Sequence, residues 1–190
     1  MRTITSLLIG ILCIAVLSTA AWASTTPPPA DTLKVDYFSN ANTMGAPDGT
    51  LRISNPGTGG NSAGNVWAAI YVFDPNQELS ECCECFLSPD DLRTLSINTD
   101  LTSNPLTSVV LTTGLIKVVS TTGPSGAKLY PTPAIRSWAT HIQDTTFAVT
   151  ETASPDATLS AAEQSRLQRE CSSIQLDGSG HGICTCGTGD

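Results

Sequence analysis

The chain has 190 residues, 9 basic against 17 acidic, for a formal net charge of −8. A balance this acidic excludes a partner held by its phosphate backbone, because such binding rests on Lys and Arg neutralising phosphates. The length suits one domain of ordinary size.

The opening residues MRTITSLLIGILCIAVLSTAAWASTT combine Arg2, an apolar run over 7–17 and small residues ending in Ala21-Trp22-Ala23. That is the three-part layout of a secretory signal peptide, so residues 1–23 are expected to be removed and the protein to be secreted, extracellular or at the cell surface. The run is too short to span a bilayer, which takes about 20 residues, so no membrane span is expected in the mature chain. Cys13 sits inside the apolar run rather than after small residues at its end, which argues against a lipid-anchoring cysteine. Removal of the leader takes away Cys13 and leaves six of the seven cysteines.

Residues 24–31 contain Pro27-Pro28-Pro29 and are expected to form an extended arm. Over 32–38, Leu33, Val35 and Tyr37 alternate with Lys34 and Asp36, which predicts a strand with one buried side. A loop over 40–50 leads to a short strand at 51–54, and the glycine-rich residues 56–64 are expected to be a flexible connection that does not pack. Residues 66–73, VWAAIYVF, are nearly all apolar and rich in β-branched and aromatic side chains. They predict the central strand, buried on both faces, with Trp67 and Tyr71 as packing residues.

The six remaining cysteines form two groups, Cys82, Cys83 and Cys85, then Cys171, Cys184 and Cys186. An even number in an exported chain reads as a disulfide framework. Bonds between neighbours within a group are geometrically poor, so each bond is expected to join one group to the other, in any of six arrangements. A metal site built on these thiols and His181 lacks the usual paired C-x-x-C spacing, and neither metal nor cofactor is expected.

Further strands are predicted at 94–97, 115–119, 134–142 and 146–151, with a polar loop over 98–105 and another loop over 124–133. A helix is predicted over 160–174. Ser160 and Glu163 have the capping-box form, and Leu167, Cys171 and Ile174 fall at i, i+4 and i+7 on one face. The expected fold is mainly β: an antiparallel β-sandwich or jelly roll of Ig-like architecture over 32–190, with one C-terminal helix and a disulfide-stapled tail.

Hydrolase, zinc-protease and phosphate-loop motifs are absent, and the expected mature chain holds only His141 and His181. The adjacent acids Asp90 and Asp91 read as turn residues rather than a proton-sharing pair, and Asn98, Asp100 and Asn104 read as turn residues rather than calcium ligands. The blocks LRISNPG (51–57), VWAAIYVFD (66–74), ECCECF (81–86), LRTLSINTDLTSNPLT (92–107) and GSGHGICTCG (178–187) together resemble an uncharacterised family of small exported bacterial proteins. The resemblance implies a bacterial secreted protein and transfers no catalytic residue.

Two non-enzymatic functions compete. One is a structural or cell-surface protein that assembles with copies of itself by N-terminal strand exchange, with Leu33, Val35 and Tyr37 as the inserted face. The other is a β-sandwich binding module for a carbohydrate or other small ligand, with Tyr130 and Trp138 as candidate ligand-facing aromatics.

Overall fold

The computed structural model describes residues 32–124, 130–143 and 145–189, so the expected signal peptide (1–23) and proline arm (24–31) lie outside the described residues. The strands are β1 Leu33–Phe38, β2 Thr50–Ser54, β3 Val66–Phe73, β4 Leu79–Leu87, β5 Leu92–Ser96, β6 Gly114–Thr121, β7 Arg136–Gln143, β8 Ala148–Ala153, β9 Asp156–Ala157 and β10 Thr188–Gly189. One α-helix, α1, spans Ala161–Asp177. The strands form two antiparallel five-stranded sheets, ordered β4-β3-β6-β1-β9 and β10-β5-β2-β7-β8. The expected mainly-β sandwich with one C-terminal helix is what the chain adopts.

The two sheets differ in what covers them. Even-numbered residues of β3, Val66, Ala68, Ile70 and Val72, join Leu51, Ile53, Leu95 and Ala139 in the core between the sheets. Its odd-numbered residues Ala69, Tyr71 and Phe73 join Leu33, Leu79, Val119, Leu167 and Ile174 in a second apolar cluster beneath α1. The first sheet is therefore buried on both faces, which is why β3 carries no polar alternation. The second sheet has one face in the core and one in solvent, and β2 shows the corresponding alternation of buried Leu51 and Ile53 with half-buried Arg52 and Ser54.

Helix α1 starts where its sequence says. The Ser160 side chain accepts from the Glu163 backbone N–H at 3.1 Å, and Gly178, at φ 70°, ends the helix in the left-handed conformation. The Glu163 carboxylate does not serve the reciprocal half of the capping box. It accepts from Lys117 on β6 at 2.6 Å and from Arg166 at 2.9 and 3.0 Å, and so ties the helix to the sheet below it.

The cysteine run, to which the sequence assigns no element, is itself a strand, β4. Several expectations are corrected. Residues 98–105 are not all loop: Ile97–Leu101 form a single π-helical turn capped by Ser96, whose hydroxyl accepts from the Thr99 N–H at 2.8 Å. The glycine-rich stretch is packed rather than loose. At Gly60, φ 100°, a side-chain carbon would lie 2.4 Å from the Asn65 carbonyl oxygen. The strand at 32–38 is not one-sided either: Lys34 and Asp36 are buried, whereas Tyr37 is 47% exposed. Lys34 forms an ion pair with Asp156, and Asp36 meets His141 at 3.4 Å. Paired charges from distant parts of the chain make burial tolerable where spacing alone predicts exposure.

Candidate functional site

The cysteines fall into place through the period of two along a strand. Cys82 sits in the apolar cluster under α1, and Cys83 and Cys85, on the opposite face of β4, sit in the core between the sheets. Accordingly Cys82 bonds Cys171 on α1, whereas Cys83 bonds Cys184 and Cys85 bonds Cys186 in the tail. All three bonds join one cysteine group to the other. The tail lies along the otherwise unpaired edge of β4, where the Cys82 N–H donates to Gly182 at 2.8 Å and the Cys184 N–H donates to Cys82 at 3.3 Å. It ends at β10, which pairs with β5 of the other sheet. An open edge in the first sheet is thereby covered. The sulfur atoms of Cys83, Cys85 and Cys186 lie within 4.8 Å of one another.

The tail also explains Asp100 and Asn104. Asp100 accepts from the Thr185 hydroxyl at 2.8 Å and from the Ser96 N–H at 2.7 Å, and the Asn104 amide donates to the Gly180 carbonyl at 2.7 Å. Asn98 turns elsewhere, accepting from the Asn42 N–H. The three serve loop hydrogen bonds and do not converge. Glu81, wholly buried on β4, accepts from the Asn104 N–H at 2.9 Å, and burial raises its carboxyl pKa to about 7.

On the far side of the sandwich, Asp36, His141 and Thr152 link the sheets. His141 Nε2 lies 2.9 Å from the Thr152 hydroxyl and 3.4 Å from Asp36 Oδ1, and the Tyr37 ring stacks on the imidazole at 4.2 Å. A hydroxyl, an imidazole and a carboxylate in one place invite comparison with a catalytic triad. Here both partners approach the same ring nitrogen, so the carboxylate cannot orient an imidazole whose other nitrogen activates the hydroxyl. The cluster is a buried polar link between β1 and β7.

The open face of the second sheet carries a shallow groove. It has a volume of about 530 Å³ and is lined by Arg52 and Ser54 of β2, Trp138 of β7, Glu151 of β8, Leu92 of β5, and Asn55, Pro56, Asp90 and Asp91 from two loops. In register, Arg52 lies opposite Trp138, and Arg52 forms an ion pair with Glu151. Trp138 is 36% exposed between the buried Ser137 and Ala139, so it stands on the solvent side of the strand. Arg93 meets Asp91 at 3.6 Å.

Asn55, fully buried, holds the groove's end together. Its amide donates to Gly64 at 2.8 Å and Leu87 at 3.2 Å, its side-chain oxygen accepts from the Gly57 N–H at 3.0 Å, and its carbonyl accepts from the Asp90 N–H at 2.8 Å. One residue, through its side chain and its backbone carbonyl, thus fixes both loops before any ligand arrives. Sequence reasoning missed Asn55, and the Asn-Pro-Gly turn at 55–57 was the available signal.

Tyr130, the other candidate aromatic, is 53% exposed but lies at the end of the first sheet beside Pro131, which bridges to Thr121. It does not line the Trp138 groove, so the two aromatics do not form one site. The acids Asp90 and Asp91 do border Trp138, which their positions in the chain did not suggest. Leu33 and Val35 contribute to the cluster under α1. β1 is paired with β6 along its whole length and with β9 at Leu33 and Lys34, all within its own chain.

No helix among the described residues is long and apolar enough to cross a membrane. No family model, curated protein or solved structure matches the chain.

Proposed function

We propose that the protein is a secreted, disulfide-stapled binding module that takes a carbohydrate on the open face of its second sheet, without performing chemistry on it. The observation that carries this reading is Trp138, a large flat aromatic standing among polar side chains on the solvent side of β7. A planar apolar face ringed by hydrogen-bonding groups suits a pyranose, whose ring presents C–H bonds on its faces and hydroxyls around its rim. Arg52, Ser54, Asp90, Asp91 and Glu151 supply those groups here. The acceptors outnumber the donors, which matches a ligand rich in hydroxyls.

A thermal-shift and array screen against neutral, amino and acidic glycans tests the reading. Binding of at least one glycan class, with a raised melting temperature, is expected. A panel in which no glycan binds or shifts the melting temperature would count against it.

Assembly with copies of itself is the second reading, favoured by the edges of the sheets. β8 ends its sheet and all six of its residues are exposed, leaving a strand edge open to pairing. β1 lies next to the end of the other sheet, so exchanging Leu33, Val35 and Tyr37 into a neighbour would leave β4, β3 and β6 paired and release only the two-residue β9 until the neighbour's strand takes the place of β1. Electron microscopy of the secreted protein beside a chain lacking residues 24–40 separates the alternatives. Filaments lost on that deletion, with the shortened chain still folded by circular dichroism, support exchange of β1; filaments kept point to β8, and monomers in both samples remove this reading.

A further inference from the structure

We propose that the chain, once its disulfides are reduced, holds one sulfur-seeking d10 cation, zinc(II) or copper(I), between the facing segments Cys83-Glu84-Cys85 and Cys184-Thr185-Cys186. This site is separate from the Trp138 groove and does not depend on it.

Each segment is a C-x-C, and in extended backbone residues i and i+2 point to the same side. Cys83 and Cys85 therefore present two sulfurs together, and the tail returns two more. The sulfurs of Cys83, Cys85 and Cys186 already lie within 4.8 Å of one another, and that of Cys184 is bonded to Cys83. A tetrahedral thiolate site has metal–sulfur distances of about 2.3 Å, hence sulfur–sulfur edges of about 3.8 Å. Four sulfurs released from the two adjacent bonds, Cys83–Cys184 and Cys85–Cys186, therefore start close to that spacing.

The backbone is held independently of the sulfur bonds. Cys82 N–H to Gly182, Gly182 N–H to Asn104 and Thr185 N–H to Asp100 run from 2.7 to 2.9 Å. The Thr185 side chain adds its bond to Asp100. Cys82 and Cys171 take no part, because Cys82 points to the other face of β4. Cys186 is only half-buried and gives the reductant and the ion a way in.

The chemistry balances with a dithiol or phosphine as reductant. Each disulfide takes up two electrons and two protons as its S–S bond breaks. A dithiol leaves as its own disulfide, and a phosphine leaves as its oxide with the oxygen drawn from water. The four thiols give up their protons as the ion binds, since the thiolate is the ligand. The same four sulfurs would then secure the tail in either redox state, through two covalent bonds or through one ion.

The test is to reduce the folded protein with a phosphine, remove the reductant without air, and titrate with cobalt(II). A sulfur-to-cobalt charge-transfer band saturating at one ion per chain is expected, together with its displacement by zinc. Cys82→Ser with Cys171→Ser should keep the band, and Cys85→Ser with Cys186→Ser should abolish it. Hydrogen exchange of residues 182–186 supplies the second readout. With zinc bound, their amides should be as protected as in the oxidised protein, even if the reduced, metal-free chain loosens or unfolds. No charge-transfer band, a band that needs Cys82 and Cys171, equal binding in denaturant, or a tail left unprotected by zinc would each overturn the proposal.

Discussion

The outer faces of the two sheets solve the same problem in opposite ways. The first sheet buries its outer face under α1, holds the helix with Cys82–Cys171, and has its β4 edge covered by the tail. The second leaves its outer face in water and places an exposed tryptophan there, beside an ion pair and two loops pinned by a buried asparagine. On the outer faces, the covalent bond and the apolar burial belong to one sheet, and the features that suit recognition belong to the other. In this molecule the cysteines that dominate the sequence report stability, and the less conspicuous Trp138 marks the face proposed for recognition.

That division can be broken deliberately. Replacing Cys82 and Cys171 together by alanine removes a cross-link spanning 89 residues of sequence and should cost about 2 to 5 kcal/mol. The loss is measurable by denaturant unfolding, and ligand binding by the folded fraction should be unchanged. If binding falls with stability, the two sheets are not independent.

Glu81 comes next, and its effect depends on pH. Burial raises its pKa from 4.5 to about 7, so the folded state favours the protonated carboxyl. The stability it lends is fully present below pH 4.5 and is lost as pH rises through about 7, a change of roughly 3 kcal/mol. Unfolding measured between pH 4 and 8 should show this decline, and Glu81→Gln should flatten it. Glu163 has the opposite sign. Arg166, ahead of Lys117, lowers its pKa to about 2, so its contribution is present above 4.5 and disappears as pH falls toward 2.

Ser160→Ala should cost about 1 kcal/mol by removing the helix cap, with loosening confined to α1 in hydrogen exchange. Trp138→Ala should change stability least, by less than about 1 kcal/mol, because the side chain stands on the solvent side of its sheet.

The parts legible in the sequence were those with local signals. β3 was readable because both of its faces are apolar, and α1 because its serine cap and its spaced Leu167, Cys171 and Ile174 agree. β4 was hidden by its cysteines, which are buried on both faces and erase alternation. The burial of Lys34 could not be read because its partner Asp156 lies 122 residues away. The same distance problem hid the groove, whose lining comes from four strands and two loops. Trp138 was half legible, since it shares its parity with the exposed Arg136 rather than with the buried Ser137 and Ala139.

The most direct test of the account is calorimetric titration of a bound glycan into three proteins: the unaltered chain, Trp138→Ala and Tyr130→Ala. Binding is expected to disappear in Trp138→Ala with the melting temperature preserved, and to persist in Tyr130→Ala. Undiminished binding by Trp138→Ala, or loss only in Tyr130→Ala, would contradict it.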